Sequence, residues 1–278
     1  MLKEAVKYEY WKESPPFQPF VTRYADSYQE YQMSWNPYCI KKDALFYEFA
    51  TGGEEEEIEL ISDACLNVLF ELDGPDSRAL FSGAFLRPMS MALKANTTYF
   101  GFKPYSNLGF NSPKINLQEM VGSITDFAIV FPGANQLISD MAESTSFSNR
   151  ISVFKRFSWR HLVDHNYSPT FIDYMAVILC TSHGDIVLNN IDQVIGYSER
   201  YCREKFKDCY GMSPKQYNDI IRFQNTLKAL LFGCDKDLSS LAIECGYFDQ
   251  SHFTHDFKRY TNVPPGKYLE KYADLSDF

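Results

Sequence analysis

Residues 245–260 read CGYFDQSHFTHDFKRY, and this stretch decides the fold of the C-terminal half of the chain. A glycine and two aromatic residues precede a polar run, in which Phe253 and Phe257 stand four residues apart. That spacing places both rings on one face of a helix. Asp249 is the expected N-cap of this helix, and Gly246 permits the positive φ at which a preceding helix ends. The stretch therefore predicts a tight turn followed by an amphipathic helix.

The same pattern occurs 50 residues earlier, because residues 191–217 align with residues 241–268. Each copy runs from an apolar helix through Gly-Tyr and a polar N-cap region to a helix that ends in Phe-Lys. In the first copy Gly196 and Ser198 take the roles of turn glycine and N-cap. Between the copies, residues 213–233 predict a long helix, with serine as N-cap, proline in the first turn and glycine at the end.

Two short helices joined by a tight turn are typical of the helix-turn-helix motif, whose second helix enters the DNA major groove. The candidate recognition helices are residues 198–209 and 250–260. Burial of Cys202 and Phe206 on the first, and of the two phenylalanines on the second, turns polar side chains outward. These side chains have the length and the hydrogen-bonding groups that base edges and phosphates require. The predicted DNA-contacting residues are Arg200, Arg203, Glu204, Lys207, Gln250, Ser251, Thr254, His255 and Lys258.

Two other interpretations of the repeat stay open. His252 and His255 stand three residues apart and would suit a metal, but no third ligand stands nearby, so we predict no metal site and no cofactor. A pair of repeated helical units can also serve protein contacts.

Residues 186–272 resemble the DNA-binding domain of the AraC/XylS-type transcription regulators. The resemblance is carried by GYSERYCREKFKDCYGMSP (196–214), by LAIECGYFDQSHFTHDFKRYTNVPPGKY (241–268) and by the linking helix between them. It implies two helix-turn-helix units, rigidly joined by one long helix, that read two successive major-groove segments on one face of the DNA. By the matching positions it implies base or phosphate contacts from Arg200, Arg203 and Glu204 in the first unit, and from Gln250, Ser251, Thr254 and His255 in the second.

Two features depart from the pattern of that family. Asp192 stands where the family usually has alanine, which implies looser packing or an unusual hydrogen bond in the first unit. The net charge of the chain is −9, and residues 198–271 carry 12 Lys and Arg against 10 Asp and Glu, a difference of +2. Few basic groups displace few counterions, so we expect weak non-specific DNA binding and a shallow salt dependence.

The first 130 residues predict short strands, such as LNVLFEL (66–72) and TTYFGFKPY (97–105), which suggest a small barrel or sandwich. They contain no GxSxG, HExxH, phosphate-loop or GxGxxG motif and no histidine, since the first histidine is His161. We therefore predict no catalytic residue and no enzymatic activity. The amphipathic helices that follow, over residues 133–163, suit either a dimer seam or packing on the same barrel.

This half also resembles, more weakly, the β-rich sensor domain that precedes the DNA-binding part in a subset of these regulators. The resemblance rests on FQPFVTRYADSY (17–28), SDACLNVLFEL (62–72), FSGAFLRPMSMAL (81–93) and YFGFKPYSNLGF (99–110). It implies that the half holds a small molecule or a partner. Aromatic side chains line apolar pockets, although they fill a small core equally well. The candidate pocket residues are Trp35, Tyr99, Phe100, Phe102 and Tyr105.

The fold class that follows is a two-domain α+β chain. Residues 1–165 form a β-rich, barrel-like sensor or dimerisation domain with amphipathic helices. Residues 166–278 form an all-α DNA-binding domain, whose units cover about residues 186–210 and 237–260. Seven cysteines without a CxxC pair, a charged N-terminus and the lack of an 18-residue apolar run predict a reduced, cytoplasmic protein without a membrane segment.

The predicted function is sequence-specific binding of double-stranded DNA in transcription regulation, with activation as the expected direction although the residues do not distinguish it from repression. A small-molecule effector, a second copy of the chain and RNA polymerase are the further candidate partners. The alternatives are a regulator controlled by protein contact and a sensor or interaction protein that has lost DNA binding.

Overall fold

The computed structural model describes residues 18–19, 25–35, 42–104, 116–162, 170–184, 196–232 and 237–272. The strands of this described part are β1 (Ala25–Trp35), β2 (Lys42–Thr51), β3 (Glu56–Leu60), β4 (Asn67–Leu72), β5 (Arg78–Ser82), β6 (Met89–Leu93), β7 (Thr98–Pro104) and β8 (Ile124–Asp126). Its helices are α1 (Leu117–Met120), α2 (Phe127–Val130), α3 (Ala134–Glu143), α4 (Phe147–His161), α5 (Phe171–Thr181), α6 (Glu199–Tyr210), α7 (Pro214–Phe232), α8 (Leu238–Glu244), α9 (Gln250–Thr261) and α10 (Pro265–Lys271). The predicted order, a β-rich half followed by a helical half, is confirmed.

The strands form a six-stranded antiparallel sheet in the order β1-β2-β7-β4-β5-β8 and a separate antiparallel pair, β3-β6. Within the described part the six-stranded sheet stays open, with β1 at one edge and β8 at the other. The front half is therefore strand-rich, as predicted, but its described strands do not close into a barrel. Closure depends on how the edge strands pair, and strand spacing along the chain does not specify that pairing.

Helix α4 covers one face of the six-stranded sheet. The ring of Phe154 lies 4.6 Å from that of Phe102 and 5.9 Å from that of Phe46, between ring centroids. Ile151 and Phe157 are buried beside it. Ser146 caps the helix, since its side chain accepts a hydrogen bond from the Asn149 N–H. The apolar side of α4 thus packs on the sheet of its own chain.

The helical half is built around α7, the long helix predicted between the two copies. Tyr217 on α7 packs against Phe206 and Tyr210 of α6, with ring centroids 5.4 and 5.2 Å apart. Phe223, farther along α7, packs 5.6 Å from Phe257 of α9, on the same measure. One helix therefore supports both predicted recognition helices, and aromatic contacts hold each of them.

The two halves share a core. Ile61, Ala64 and Ala84 of the β-rich half belong to the same buried cluster as the helices around α7. The side-chain amide of Gln224 donates to the Ser62 carbonyl oxygen at 2.7 Å. Asn262, which caps the C-terminus of α9, donates to the Glu59 carboxylate of β3 at 2.7 Å.

Helix α1 contacts the first recognition helix. Gln118 donates to the Asp208 carboxylate at 3.2 Å. A Cβ atom on Gly211 would lie 2.4 Å from the carbonyl oxygen of Leu117. Together with Asn262, this contact means that the β-rich half touches the C-terminal end of both recognition helices.

The domain boundary near residue 165 and Asp192 both lie outside the described residues. The division into residues 1–165 and 166–278 thus stays a prediction. No helix in the described part is both long enough and apolar enough to cross a lipid bilayer.

Candidate nucleic-acid interface

The first recognition helix, α6, begins and ends as its sequence predicts. The Ser198 side chain accepts a hydrogen bond from the Tyr201 N–H at 3.4 Å. At the other end Gly211 adopts a φ of 74°, which suits glycine and satisfies the last turn. Cys202 and Phe206 are buried, and this orientation turns the charged face of α6 to the surface.

The second recognition helix, α9, repeats this construction with other residues. The Asp249 carboxylate accepts a hydrogen bond from the His252 N–H at 2.7 Å, and Asn262 ends the helix at a φ of 61°. Phe253 and Phe257 are fully buried. Both helices contain 12 residues, and both turns that precede them hold a glycine with φ near 78°. The two predicted recognition helices and the turn glycines before them are thus confirmed, whereas the first helix of the first copy lies outside the described residues.

All nine predicted DNA-contacting side chains lie on the faces that these buried residues leave accessible. Lys207 and Thr254 are half-buried, whereas the other seven are exposed. The Thr254 hydroxyl donates to the Gln250 carbonyl oxygen at 2.8 Å, a bond within the helix that DNA does not need to break. Polar groups are therefore accessible on both helices, and their contacts with DNA stay a prediction.

Both arginines of α6 are paired with acids of the same helix. Arg200 lies 3.1 Å from Glu204, and Arg203 pairs with Glu199 one turn earlier. All four side chains are more than half exposed. Exposed pairs at this spacing contribute only about 0.3–0.5 kcal/mol, so a phosphate or a guanine edge can replace the acid at little cost.

Helix α9 is instead anchored by a half-buried ion cluster. The Arg222 guanidinium of α7 lies 3.2 Å from the Asp256 carboxylate and 3.1 Å from that of Asp219. It also lies 4.6 Å from the centre of the Tyr247 ring. Burial disfavours the charged guanidinium, but Tyr247, Asp219 and Asp256 outweigh this and raise the pKa of Arg222. Arg222 is therefore a fixed positive charge beneath α9.

His252 and His255 do not form a metal site with their neighbours. Both imidazoles approach Asp256, at 3.7 and 3.9 Å. Among the described residues, no group of three or more His, Cys, Asp and Glu side chains is arranged to hold a metal ion.

Three of the five candidate pocket residues lie in the interior of the front half. Phe100 and Phe102 are buried in the core between the six-stranded sheet and α4, and Tyr99 is buried on the opposite face. The side chain of Trp35, and Tyr105 as a whole, lie outside the described residues. That opposite face also holds a cavity of about 20 Å³, room for about one water molecule. It is lined by Tyr47, Phe49, Leu60, Asn67, Leu69, Leu80, Ser82, Met91 and Ile124.

Sequence reasoning missed three exposed aromatic side chains near the N-terminal ends of the recognition helices. Tyr197 and Tyr201 are 49% and 41% exposed and stack with Phe171 of α5. Phe248, ahead of α9, is 86% exposed. The two copies differ in length by one residue at Phe248, and that difference is the signal that could have identified it.

Comparison with known proteins places a family match over both units, since residues 193–271 match the family model for a helix-turn-helix domain. An uncharacterised HTH-type transcriptional regulator of Staphylococcus aureus is 23% identical over 86 residues, which cover 31% of this chain and 11% of that protein. The chain thus spans about a tenth of the length of the curated relatives that it matches.

Among solved structures, the DNA-binding domain of AdpA in complex with a target DNA is 20% identical, with a TM-score of 0.35, over 38% of this chain and 96% of that one. ToxT from Vibrio cholerae is 11% identical, with a TM-score of 0.42, over 88% and 97% of the respective chains. The family match, together with the capped helices α6 and α9, supports a helix-turn-helix domain in the C-terminal half.

Proposed function

We propose that this chain is a sequence-specific DNA-binding transcription regulator, in which α6 and α9 read two successive major-groove segments about 10 bp apart, centre to centre. The observation that carries the proposal is the equivalence of the two helices. Each buries one face against α7 and exposes hydrogen-bonding side chains on the other. Each also begins with a capped turn, and the N-terminal part of a recognition helix is the part that meets base edges.

The exposed side chains suit different bases on the two helices. Arg203 of α6 has the planar fork that binds guanine O6 and N7, and Glu204 accepts from cytosine N4. Gln250 of α9 has the amide that binds adenine N6 and N7. Lys207 and Lys258 occupy equivalent positions farther along the two helices, where they serve the phosphates.

The proposed input is a change in the β-rich half. Because that half shares a core with α7 and touches the ends of α6 and α9, a ligand or partner that prefers one arrangement of the halves would shift DNA occupancy. The 20 Å³ cavity is far below the roughly 300 Å³ of a typical ligand pocket, so a small-molecule effector would bind at this position only if the core rearranged.

The alternative input is another protein, bound by the aromatic front half. Thermal shift of the full chain against metabolite mixtures, with mass spectrometry of any co-purified compound, tests the small-molecule route. The same shift measured with a purified candidate partner tests the protein route. A second copy of the chain and RNA polymerase stay predicted partners.

The experiment that tests DNA reading is selection of duplexes from a random pool by the full-length chain, followed by gel shifts over a salt series. We expect enrichment of one site with two separable halves, and a salt dependence shallower than that of strongly basic regulators. A matched control is Lys267→Ala, which removes an exposed cation from α10, outside both recognition helices. Equal affinity for selected and unselected duplexes at every salt concentration would contradict the proposal.

A further inference from the structure

Phe248 has no structural reason to be phenylalanine. At 86% it is the most exposed large apolar side chain of the described residues. Burial of such a side chain is favourable, so its exposure in the free protein leaves that stabilisation unused. The exposure of Phe248 is therefore to be explained by a contact with another molecule.

A comparison of the two copies of the repeat distinguishes Phe248 from the residues around it. In the first unit Gly196 and Tyr197 lead directly to the N-cap Ser198, whereas in the second Gly246 and Tyr247 are followed by Phe248 and only then by the N-cap. From N-cap to C-cap the two units have the same length. Phe248 is thus one additional residue in the turn of the second unit.

Tyr247 already fills the interior beneath this turn. It is 3% exposed, and its ring lies 5.4 Å from that of Phe253, between centroids. The Arg222 guanidinium covers its face. The core of the second unit is consequently complete without the Phe248 side chain.

The backbone holds Phe248 at the end of α9 that is expected to enter the groove. Its N–H donates to Nδ1 of His252 at 3.5 Å, and it directly precedes the N-cap Asp249. The residues that follow, Gln250 and Ser251, are exposed and polar. An extended apolar partner surface would bury these polar groups without partners, at a large cost, whereas a small apolar group within a polar groove would not.

We infer that Phe248 contacts the 5-methyl group of a thymine in the half of the DNA site that α9 reads. The major groove offers hydrogen-bonding groups at every base pair, and its apolar feature is the thymine methyl group. The contact would give the second unit a preference for thymine that the first unit, which lacks the additional residue, does not share. This inference rests on the proposed function, because it assigns a base to a helix proposed to bind DNA.

The test uses a duplex selected from a random pool by the full-length chain. Each thymine is replaced singly by deoxyuridine, which lacks only the methyl group, and affinity is measured for the native chain and for Phe248→Ala. At one thymine we expect the native chain to lose about fourfold in affinity, the factor for one buried methyl group. Phe248→Ala should bind both duplexes equally.

Ile243→Ala is the matched control. Ile243 is 59% exposed on α8, ahead of the same turn, so its truncation also removes an exposed apolar side chain from this unit. The control should retain the native response to deoxyuridine. Circular dichroism melting of both variants should match that of the native chain, since neither side chain is buried.

The outcomes separate this inference from the proposed function. If no duplex is enriched, the proposed function fails. If duplexes bind but no thymine shows a methyl effect that depends on residue 248, the thymine contact is wrong while DNA reading stands. Uniform weakening by Phe248→Ala, with an unchanged response to deoxyuridine, would likewise overturn the contact.

Discussion

The Arg222 guanidinium of α7 lies 3.2 Å from the Asp256 carboxylate of α9, and this ion pair joins the second recognition helix to the helix that supports both units. Both side chains are little exposed, at 13% and 11%. An ion pair in this setting is weakly screened, and removal of one partner leaves a charge that has lost much of its compensation. The orientation of α9 therefore depends on a polar contact as well as on its buried phenylalanines.

Asp256→Ala should lower the free energy of unfolding by about 2 kcal/mol, because among the described residues Arg222 then keeps only Asp219 as a close anionic partner. Urea denaturation measures the change. Glu204→Ala breaks the exposed pair with Arg200 and should change stability by less than about 0.5 kcal/mol. Equal losses in the two variants would mean that the buried pair contributes no more than a surface pair.

Arg203→Ala and Gln250→Ala should change sequence preference in different halves of the DNA site. Each removes a side chain from one recognition helix only, and loss of a bidentate base contact costs about 1–3 kcal/mol of discrimination. Duplexes are selected with each variant and with the native chain. The base preferences of the selected duplexes are then compared position by position. Uniform loss of affinity across all positions in both variants would exclude separate reading by α6 and α9.

Gly211→Ala should destabilise the chain more than Gly196→Ala. Both glycines have positive φ, of 74° and 79°, so alanine at either position carries a backbone cost of about 1–2 kcal/mol. At Gly211 the new Cβ would meet another segment, since it would lie 2.4 Å from the Leu117 oxygen, whereas at Gly196 no atom of the described residues lies within 4 Å.

The difference between these two variants in thermal unfolding thus measures the contact between α1 and the first recognition helix. Gly266→Ala is the second control, because within the described part of the chain its Cβ also meets nothing within 4 Å, and its φ is not in the left-handed region. It should be neutral or slightly stabilising. If Gly211→Ala and Gly196→Ala unfold at the same temperature, α1 and α6 are not in close contact at Gly211.

Lys228→Met should make the chain more stable at neutral pH. It should also reduce the pH dependence of the free energy of unfolding between about pH 7 and 9. Burial lowers the pKa of Lys228 to about 7, and the nearby Cys65 opposes this shift only in part. Above that pKa the unfolded chain, whose lysine titrates near pH 10.4, binds a proton that the folded chain does not. The free energy of unfolding of the native chain should therefore rise with pH, by up to about 1.4 kcal/mol per unit.

Urea denaturation at pH 7, 8 and 9 measures this slope. Below pH 7 the lysine is charged in both states, so the slope from this group should vanish there. Lys267→Met, at an exposed position on α10, should keep the native slope. Parallel curves for Lys228→Met and the native chain would mean that Lys228 is charged in the folded state throughout this range.

The sequence by itself determined the local construction of the helical half. Ser198 and Asp249 as caps, the glycines before them and the i, i+4 phenylalanines of α9 all appear as the residue types and spacings require. These features were predictable because each depends on residues within about two helical turns, where backbone geometry alone decides which side chains meet. The strands β4 and β7 were predictable for a similar reason, because each is a short local run of apolar and aromatic residues.

Only the tertiary structure decided which of these elements contact one another. Arg222 and Asp256 are 34 positions apart, Ser62 and Gln224 are 162 apart, and the open sheet depends on the pairing of its edge strands. No spacing rule links such residues, because many pairings of amphipathic elements bury similar apolar area and only the packed whole selects among them. The exposure of Phe248 was decided in the same way, since Tyr247 rather than its neighbour took the place in the core.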